Sequence, residues 1–252
     1  MKKLIVVALL TISLPGISQS IIGGDNIIKT NLSSDLLKNY NITYERSINH
    51  FMSWSASFRT MPLTSLPLKG IAKKFIENPN IDFDNFKIGN TALTLEGRFY
   101  VGLQKMSGFY IAPYARFANF NISVPVEYAY TPVVQGITLP TVTSKASMDG
   151  NIRSTAVGAY VGFQYQLLTK LVLDLWIAGG SYGSANGNLN FDAPAGTPTI
   201  AMTALKNSLD QTNIHPFNIS TKVKESGTGV TTDMNGPWAG FRGIGLTVGL
   251  RF

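Results

Sequence analysis

Six charged residues could do chemistry together, because each lies at an alternate position of a short segment with period-two polarity. They are three carboxylates and three guanidinium groups: Glu45, Glu96, Asp174, Arg59, Arg98 and Arg116. Alternate residues of a strand share a face, so six inward-facing side chains would meet in one interior. They could form an ion or proton path, or pair and fill the space. We favour pairing, because an unpaired buried charge costs several kcal/mol, and we expect Lys29 and Arg251 to join near one end.

A serine motif suggests one alternative chemistry. The run Gly179–Gly183 matches the G-x-S-x-G pattern of hydrolases, but that motif needs a sharp strand-to-helix turn, whereas this run lies inside a glycine-rich strand. By parity Ser181 is predicted to face outward, with His215 in the following loop. A lipid hydrolase would use Ser181 as nucleophile and His215 as base, oriented by Asp210 or Asp233. Small residues at a strand end are commoner than catalysis, so the favoured interpretation is that the protein is not an enzyme.

We expect no metal and no cofactor. The chain has no cysteine, which excludes thiolate metal sites and disulfides. His50 and His215 are predicted at opposite ends of the molecule. Asp192, Asp210 and Asp233 could meet a hard cation such as calcium, but they lack a fixed ligand spacing, and a solvated loop is the favoured interpretation.

The elements that must position these side chains are strands. Segments of about ten residues with alternating polarity are the expected length of a tilted membrane strand. Eight such segments occur: Asn26–Leu32, Asn39–Ile48, Met52–Arg59, Gly89–Val101, Gly108–Asn121, Ile152–Leu167, Lys170–Ser184 and Gly240–Phe252.

The connections between these strands alternate in length. Short turns at 49–51, 102–107 and 168–169 alternate with connections at 33–38, 60–88, 122–151 and 185–239. Short turns on one side, long loops on the other and an even strand number are typical of outer-membrane barrels. The sequence therefore predicts an all-β, eight-stranded antiparallel up-and-down transmembrane β-barrel with long extracellular loops. Eight strands enclose an interior just wide enough for side chains to fill, which makes a wide diffusion pore improbable.

The last predicted strand carries a family resemblance. Its apolar residues occupy every second position: Ile244, Leu246, Val248, Leu250 and Phe252. This pattern resembles the closing strand of Gram-negative outer-membrane β-barrels, in which a terminal aromatic residue and alternating apolar residues form the signal for the barrel assembly machinery. Residues 26–252 are similar to small barrels of the OmpA/OmpX architecture and to uncharacterised single-domain outer-membrane barrels, the latter through the segment Lys38–Arg46 and a Met61-Pro62-Leu63 loop.

The beginning of the chain predicts export. Met1-Lys2-Lys3 precedes the apolar run Leu4–Leu14, and small residues near Ser20 suit a signal peptidase. We expect residues 1–20 to be a cleaved signal peptide and residues 21–252 to be a single barrel domain. Loss of Lys2 and Lys3 would lower the net charge from +7 to +5. The remaining basic residues are scattered, so we expect no nucleic-acid partner.

Function is less constrained than fold. The resemblance implies a cell outer membrane location, with outer-membrane lipids, lipopolysaccharide and the assembly machinery as partners. Our first hypothesis is a monomeric structural or surface-binding scaffold with a largely plugged lumen, whose long loops meet an unknown extracellular ligand. The alternatives are a narrow small-solute channel or carrier, and the Ser181–His215 hydrolase. Leu68–Glu77 is predicted to form a short loop helix, which either packs over the barrel mouth or meets anionic lipid.

Overall fold

The computed structural model describes residues 24–65, 85–102, 104–194, 197–211 and 216–252. The predicted signal peptide and the helix expected at Leu68–Glu77 lie outside these residues. Two helices are present in the described ranges, α1 (Leu32–Asp35) and α2 (Thr199–Asp210), and neither is long and apolar enough to cross a membrane. The strands of these ranges are β1 (Asn26–Asn31), β2 (Tyr40–Ser47), β3 (Met52–Ser65), β4 (Lys87–Val101), β5 (Gly108–Tyr130), β6 (Val133–Val134), β7 (Ile137–Thr138), β8 (Val142–Gln166), β9 (Leu171–Asp192), β10 (Asn218–Val223), β11 (Gly229–Arg242) and β12 (Gly245–Arg251).

Eight strands close on themselves. β1, β2, β3, β4, β5, β8, β9 and β12 pair in that order, each antiparallel to the next, and β12 pairs back to β1 with Ile27 opposite Arg251. This ring confirms the predicted all-β antiparallel fold. Where β1 and β12 pair, closure removes the unpaired edges that an open sheet would expose.

Two connections that were predicted as long loops consist largely of strands and a helix, so those predictions were wrong. β5 and β8 extend through most of 122–151 and pair up to Tyr130 opposite Val142. Residues 185–239 contain the end of β9, α2, and the hairpin of β10 and β11. The error has a physical reason: the period-two alternation continues in these segments, but with the opposite polarity.

This reversal divides the ring into two zones, which β8 illustrates. Near its C-terminal end the outward side chains are apolar (Val157, Ala159, Val161, Phe163). Near its N-terminal end the outward side chains are polar (Lys145, Ser147, Asp149, Asn151, Arg153), and the inward ones are Ala146, Met148 and Ile152. We call the part with the apolar outer face the lower zone and the part with the polar outer face the upper zone.

The boundary between the zones runs at one level across neighbouring strands. The last outward apolar residues are Phe117 of β5, Val157 of β8 and Tyr182 of β9, which are 46%, 64% and 65% exposed. Val157 lies opposite Tyr182, and the next outward pair is the polar Thr155 with Ser184. Because separate strands change character at matched positions, the boundary is a property of the whole wall.

The upper zone has an ordinary apolar core closed by α2. Ala201, Met202 and Leu205 of this helix are fully buried against inward residues such as Val126, Met148 and Val230. Pro198 precedes the helix, which suits a helix start. The interior of the upper zone is therefore filled by the helix and the strands together.

Candidate functional site

A network of buried charges fills the lower zone, with Arg98 of β4 at its centre. Its side chain is 1% exposed. Arg98 Nη1 donates to Asp174 Oδ2 at 2.7 Å, and Nη2 donates to Glu96 Oε2 at 3.0 Å and to the Tyr160 hydroxyl at 2.8 Å. A weaker bond of 3.4 Å joins Nη1 to Glu45 Oε2. One guanidinium group thus links carboxylates from β2, β4 and β9.

Lys29 of β1 is the second cation of this network. Its ammonium group contacts Glu45 and donates to Asp174 Oδ2 at 2.9 Å and to Gln164 Oε1 at 2.8 Å. Lys29, Glu45, Gln164 and Asp174 are all at most 1% exposed. The network therefore ties the first strand of the ring to strands far away in sequence.

Hydroxyl groups satisfy the remaining carboxylate oxygens. Tyr100 donates to Glu45 Oε1 and Tyr110 donates to Asp174 Oδ1, each at 2.6 Å. Ser55 donates to Glu96 Oε2 at 2.9 Å. Buried charges are tolerated when their partners leave no lone pair unsatisfied.

The charges of this network balance. Glu45, Glu96 and Asp174 face Lys29, Arg98 and Arg242, and Arg242 Nη1 donates to Glu96 Oε1 at 3.2 Å. Of the six charged residues predicted to meet, the structure brings together Glu45, Glu96, Arg98 and Asp174. Arg59 and Arg116 lie higher in the ring. Arg251 lies apart from the network as well, and bonds Gln166 Oε1 at 2.6 Å and the Gly24 carbonyl at 2.7 Å.

A cavity of about 350 Å³ lies above the network, and the charged residues of its lining are arginines. Arg59, Arg116 and Arg242 all line it, together with Tyr114 and Trp176. The Arg242 guanidinium carbon lies 4.4 Å from the Tyr114 ring centre and 4.7 Å from that of Trp176. Aromatic faces stabilise a cation at such distances, so Arg242 is held in place between the cavity and the network.

Two buried hydrogen-bond donors at the cavity have no partner within the described residues. They are Asn31 Nδ2 and Trp176 Nε1. Both residues line the cavity, and they are 1% and 7% exposed. A buried donor without a partner costs about 1–3 kcal/mol.

Ser181 faces this cavity, so its predicted outward orientation was wrong. Val161 pairs with Ala178 whereas Gly162 pairs with Trp176, which leaves Ile177 as an extra residue in β9. A bulge of this kind switches every later side chain to the opposite face. Ser181 consequently lines the interior, and Tyr182 is the outward residue.

The other residues of the hydrolase hypothesis do not come together with Ser181 in the described structure. His215 lies outside the described residues. Asp210 pairs with Lys206 on α2, and Asp233 lies in β11 opposite Asn188. Asp192 pairs with Lys224. Within the described ranges, no three His, Cys, Asp or Glu residues are grouped so that they could hold a metal ion.

The predicted terminal strand is divided. β12 begins at Gly245, and residues 243–244 separate it from β11. Ile244, Leu246 and Leu250 are exposed outward at 80%, 36% and 62%, and Val248 and Phe252 are half-buried. Parity counted from the chain end predicts an outward Arg242, but the break reverses the face and turns this residue inward. Arg242 was missed for that reason.

Comparison with known proteins gives one family. The family described as "Protein of unknown function (DUF3575)" matches residues 4–189. This match covers well over half of the chain, which therefore belongs to that family. No curated protein matches it significantly.

Proposed function

We propose that this member of the DUF3575 family is an outer-membrane β-barrel with a filled interior, acting as a structural or surface-binding scaffold. The observation that carries the proposal is the reversal of polarity along the ring. The lower zone is apolar outside and polar inside, as a barrel wall in lipid requires. The upper zone is polar outside and apolar inside, as a domain in water requires.

The outer face of the lower zone supports a bilayer as its surroundings. Large apolar residues exposed there include Trp54, Phe58, Leu93, Leu95, Phe99, Ile111, Phe117, Val157, Leu175 and Leu250. Soluble monomers rarely expose a continuous apolar patch beyond a few hundred Å². A closed ring also satisfies its backbone hydrogen bonds internally, which a lipid environment demands.

The charge network supports a scaffold rather than an open channel. Arg98, Lys29, Glu45 and Asp174 span the interior and are almost completely buried. Side chains that bond one another across the ring leave no water-filled path at that level. They also fix the register of the strands, because each bond joins residues of different strands.

The upper zone is the part that would meet an extracellular ligand. It presents the polar outer faces of β5, β8 and β9 and the β10–β11 hairpin, and α2 fills its interior. We propose that it projects from the outer leaflet, with lipids and lipopolysaccharide around the lower zone. Assembly would use the barrel assembly machinery, and the folded protein would be a monomer.

Two measurements on one preparation test this proposal. The refolded chain is first run with and without heating on a semi-native gel, and a heat-dependent shift is expected for a closed barrel. Its conductance is then measured in a planar bilayer, where no steady current above that of the bare bilayer is expected. Absence of the shift would contradict a closed barrel. A steady, ion-selective current would contradict the filled interior and favour the narrow channel.

A further inference from the structure

The arginine-lined cavity is closed from below and from above by packed side chains. Its lower lining includes Tyr114 and Trp176, which belong to the cluster around the charge network. Its upper lining includes Phe120 and Trp238, which pack on the apolar core of the upper zone. Access from either end of the ring would require one of these cores to open, so the wall is the remaining route.

The wall is incomplete next to the cavity. β1 ends at Asn31, and β10 pairs with β11 only as far as Asn235. Within the described ranges, residues 236–244 have no strand partner on the side that faces β1. α1 lies at this gap, where Ser33 Oγ accepts a hydrogen bond of 2.9 Å from the Leu246 N–H.

Apolar side chains surround the outer end of this gap. Leu37, Phe241 and Ile244 line the cavity, yet they are 55%, 83% and 80% exposed. We call these three residues the side mouth. Phe241 pairs with Gly180, two residues from Tyr182 at the zone boundary. The side mouth therefore opens just inside the apolar band, at the depth where lipid head groups meet the hydrocarbon.

The interior end of the same cavity suits an anion. Glu96 already balances Arg242. Arg116 lies within electrostatic range of Arg59, Arg242 and Tyr114, and Arg59 lies within range of Glu96 and Asp35 as well. Guanidinium groups recognise phosphate or carboxylate oxygens.

We propose that the cavity binds the anionic head group of a single-chain amphiphile, which enters from the membrane through the side mouth. The head group contacts Arg59, Arg116 and Arg242, and the hydrocarbon chain lies along Phe241 and Ile244. This inference rests on the proposed function, because the side mouth faces lipid only if the lower zone spans the bilayer. Phosphate and carboxylate head groups share the recognised chemistry, and a free anion from water is the competing source.

The test uses the chain refolded in phosphatidylcholine vesicles with Trp54→Phe, so that fluorescence reports Trp176 and Trp238 at the cavity. The vesicles are titrated with dodecyl phosphate, with inorganic phosphate (head group alone) and with dodecanol (chain alone). Only dodecyl phosphate is expected to give a saturable change at one molecule per protein. Arg116→Gln and Arg59→Gln should each weaken the binding of dodecyl phosphate about tenfold or more, because each removes a charged hydrogen bond to the head group. Arg153→Gln, an exposed arginine of β8 outside the cavity, is the matched control and should leave it unchanged.

Each of the other outcomes refutes one part of the proposal. Saturation by inorganic phosphate with equal affinity would refute entry from the membrane, and saturation by dodecanol would refute recognition of an anion. Absence of any saturable change, or an unchanged affinity in both arginine variants, would refute the site. Flotation of the vesicles and the heat shift are measured on the same samples, for wild type and variants. A chain that floats and shifts but does not bind contradicts this inference alone, whereas a chain that does not insert contradicts the proposed function.

Discussion

Replacing Arg98 by methionine should strongly destabilise the folded protein. Arg98 bonds Glu96, Asp174, Glu45, Tyr160 and Gln164 from a fully buried position. Without it, Lys29 and Arg242 remain against three buried carboxylates, so one negative charge is uncompensated. Removing one partner of a buried ion pair typically costs about 3–5 kcal/mol.

The assay is urea unfolding of the refolded protein in vesicles. Unfolding is measured on a semi-native gel as the loss of the folded band, which is the band whose position shifts on heating. With an m value of about 2 kcal/mol/M, the loss corresponds to a midpoint lowered by about 1.5–2.5 M urea. Arg153→Met, on the polar outer face of β8, is the matched control and should change stability by less than about 0.5 kcal/mol.

A double-mutant cycle makes this prediction specific to the network. Asp174→Asn removes a charge that Arg98 contacts at 2.7 Å, so the double variant should be less destabilised than the sum of the two single variants, by about 0.5–3 kcal/mol. Additive effects, or an Arg98→Met loss below about 1 kcal/mol as for a surface pair, would refute a buried network that determines stability.

Two further predictions concern the upper zone and the bulge. Leu205→Ala, at a fully buried position of α2, should lower the free energy of unfolding by about 2–5 kcal/mol. Ile200 of the same helix is 47% exposed, so Ile200→Ala should have little effect. Equal losses of the two variants in urea unfolding would contradict the packing of α2. Deletion of Ile177 should leave the folded, heat-modifiable band in place, because it removes the extra residue of the bulge and keeps Ser181 and Leu189 on the inner face. Deletion of Ser184, an outward residue in the regular part of β9, would instead turn Ala185 and Leu189 outward and should abolish that band, so a folded Ser184 deletion or an unfolded Ile177 deletion would contradict this register.

The sequence predicted the lower zone well because one rule governs it: alternate residues face outward and are apolar, and those between them face inward and are polar or charged. Alternation in Gly89–Val101 placed Glu96 and Arg98 inside with Leu93 and Leu95 outside, as observed. The sequence predicted that the buried charges pair, but it did not predict which ones, and the pairing of Arg98 with Asp174 joins distant strands. Lys29 was expected to join the network for the same reason.

The sequence reasoning failed where the rule changes. Ile177 and residues 243–244 each shift parity, so Ser181 was assigned to the wrong face and Arg242 was missed. In Val124, Val126 and Tyr128 the period-two pattern persists with the apolar residues inside, and the search for an apolar outer face did not recognise it. Ala201, Met202 and Leu205 are of types that favour a helix, but they lie in the connection 185–239, which was predicted as a loop. The cavity combines Asn31, Arg59, Arg116 and Arg242 from four strands, which pattern reading alone cannot assemble.

The central claim is that the lower zone faces lipid with its alternate residues, and labelling along β4 tests it most directly. The chain has no cysteine, so single cysteines at 91–95 can each carry a nitroxide in vesicles. Labels at Leu93 and Leu95 should be accessible to oxygen dissolved in lipid, the label at Thr91 in the upper zone should be accessible to a water-soluble nickel chelate, and labels at Ala92 and Thr94 should be shielded from both. An absence of alternation, or access of the chelate to Leu93 and Leu95, would contradict a membrane-spanning barrel.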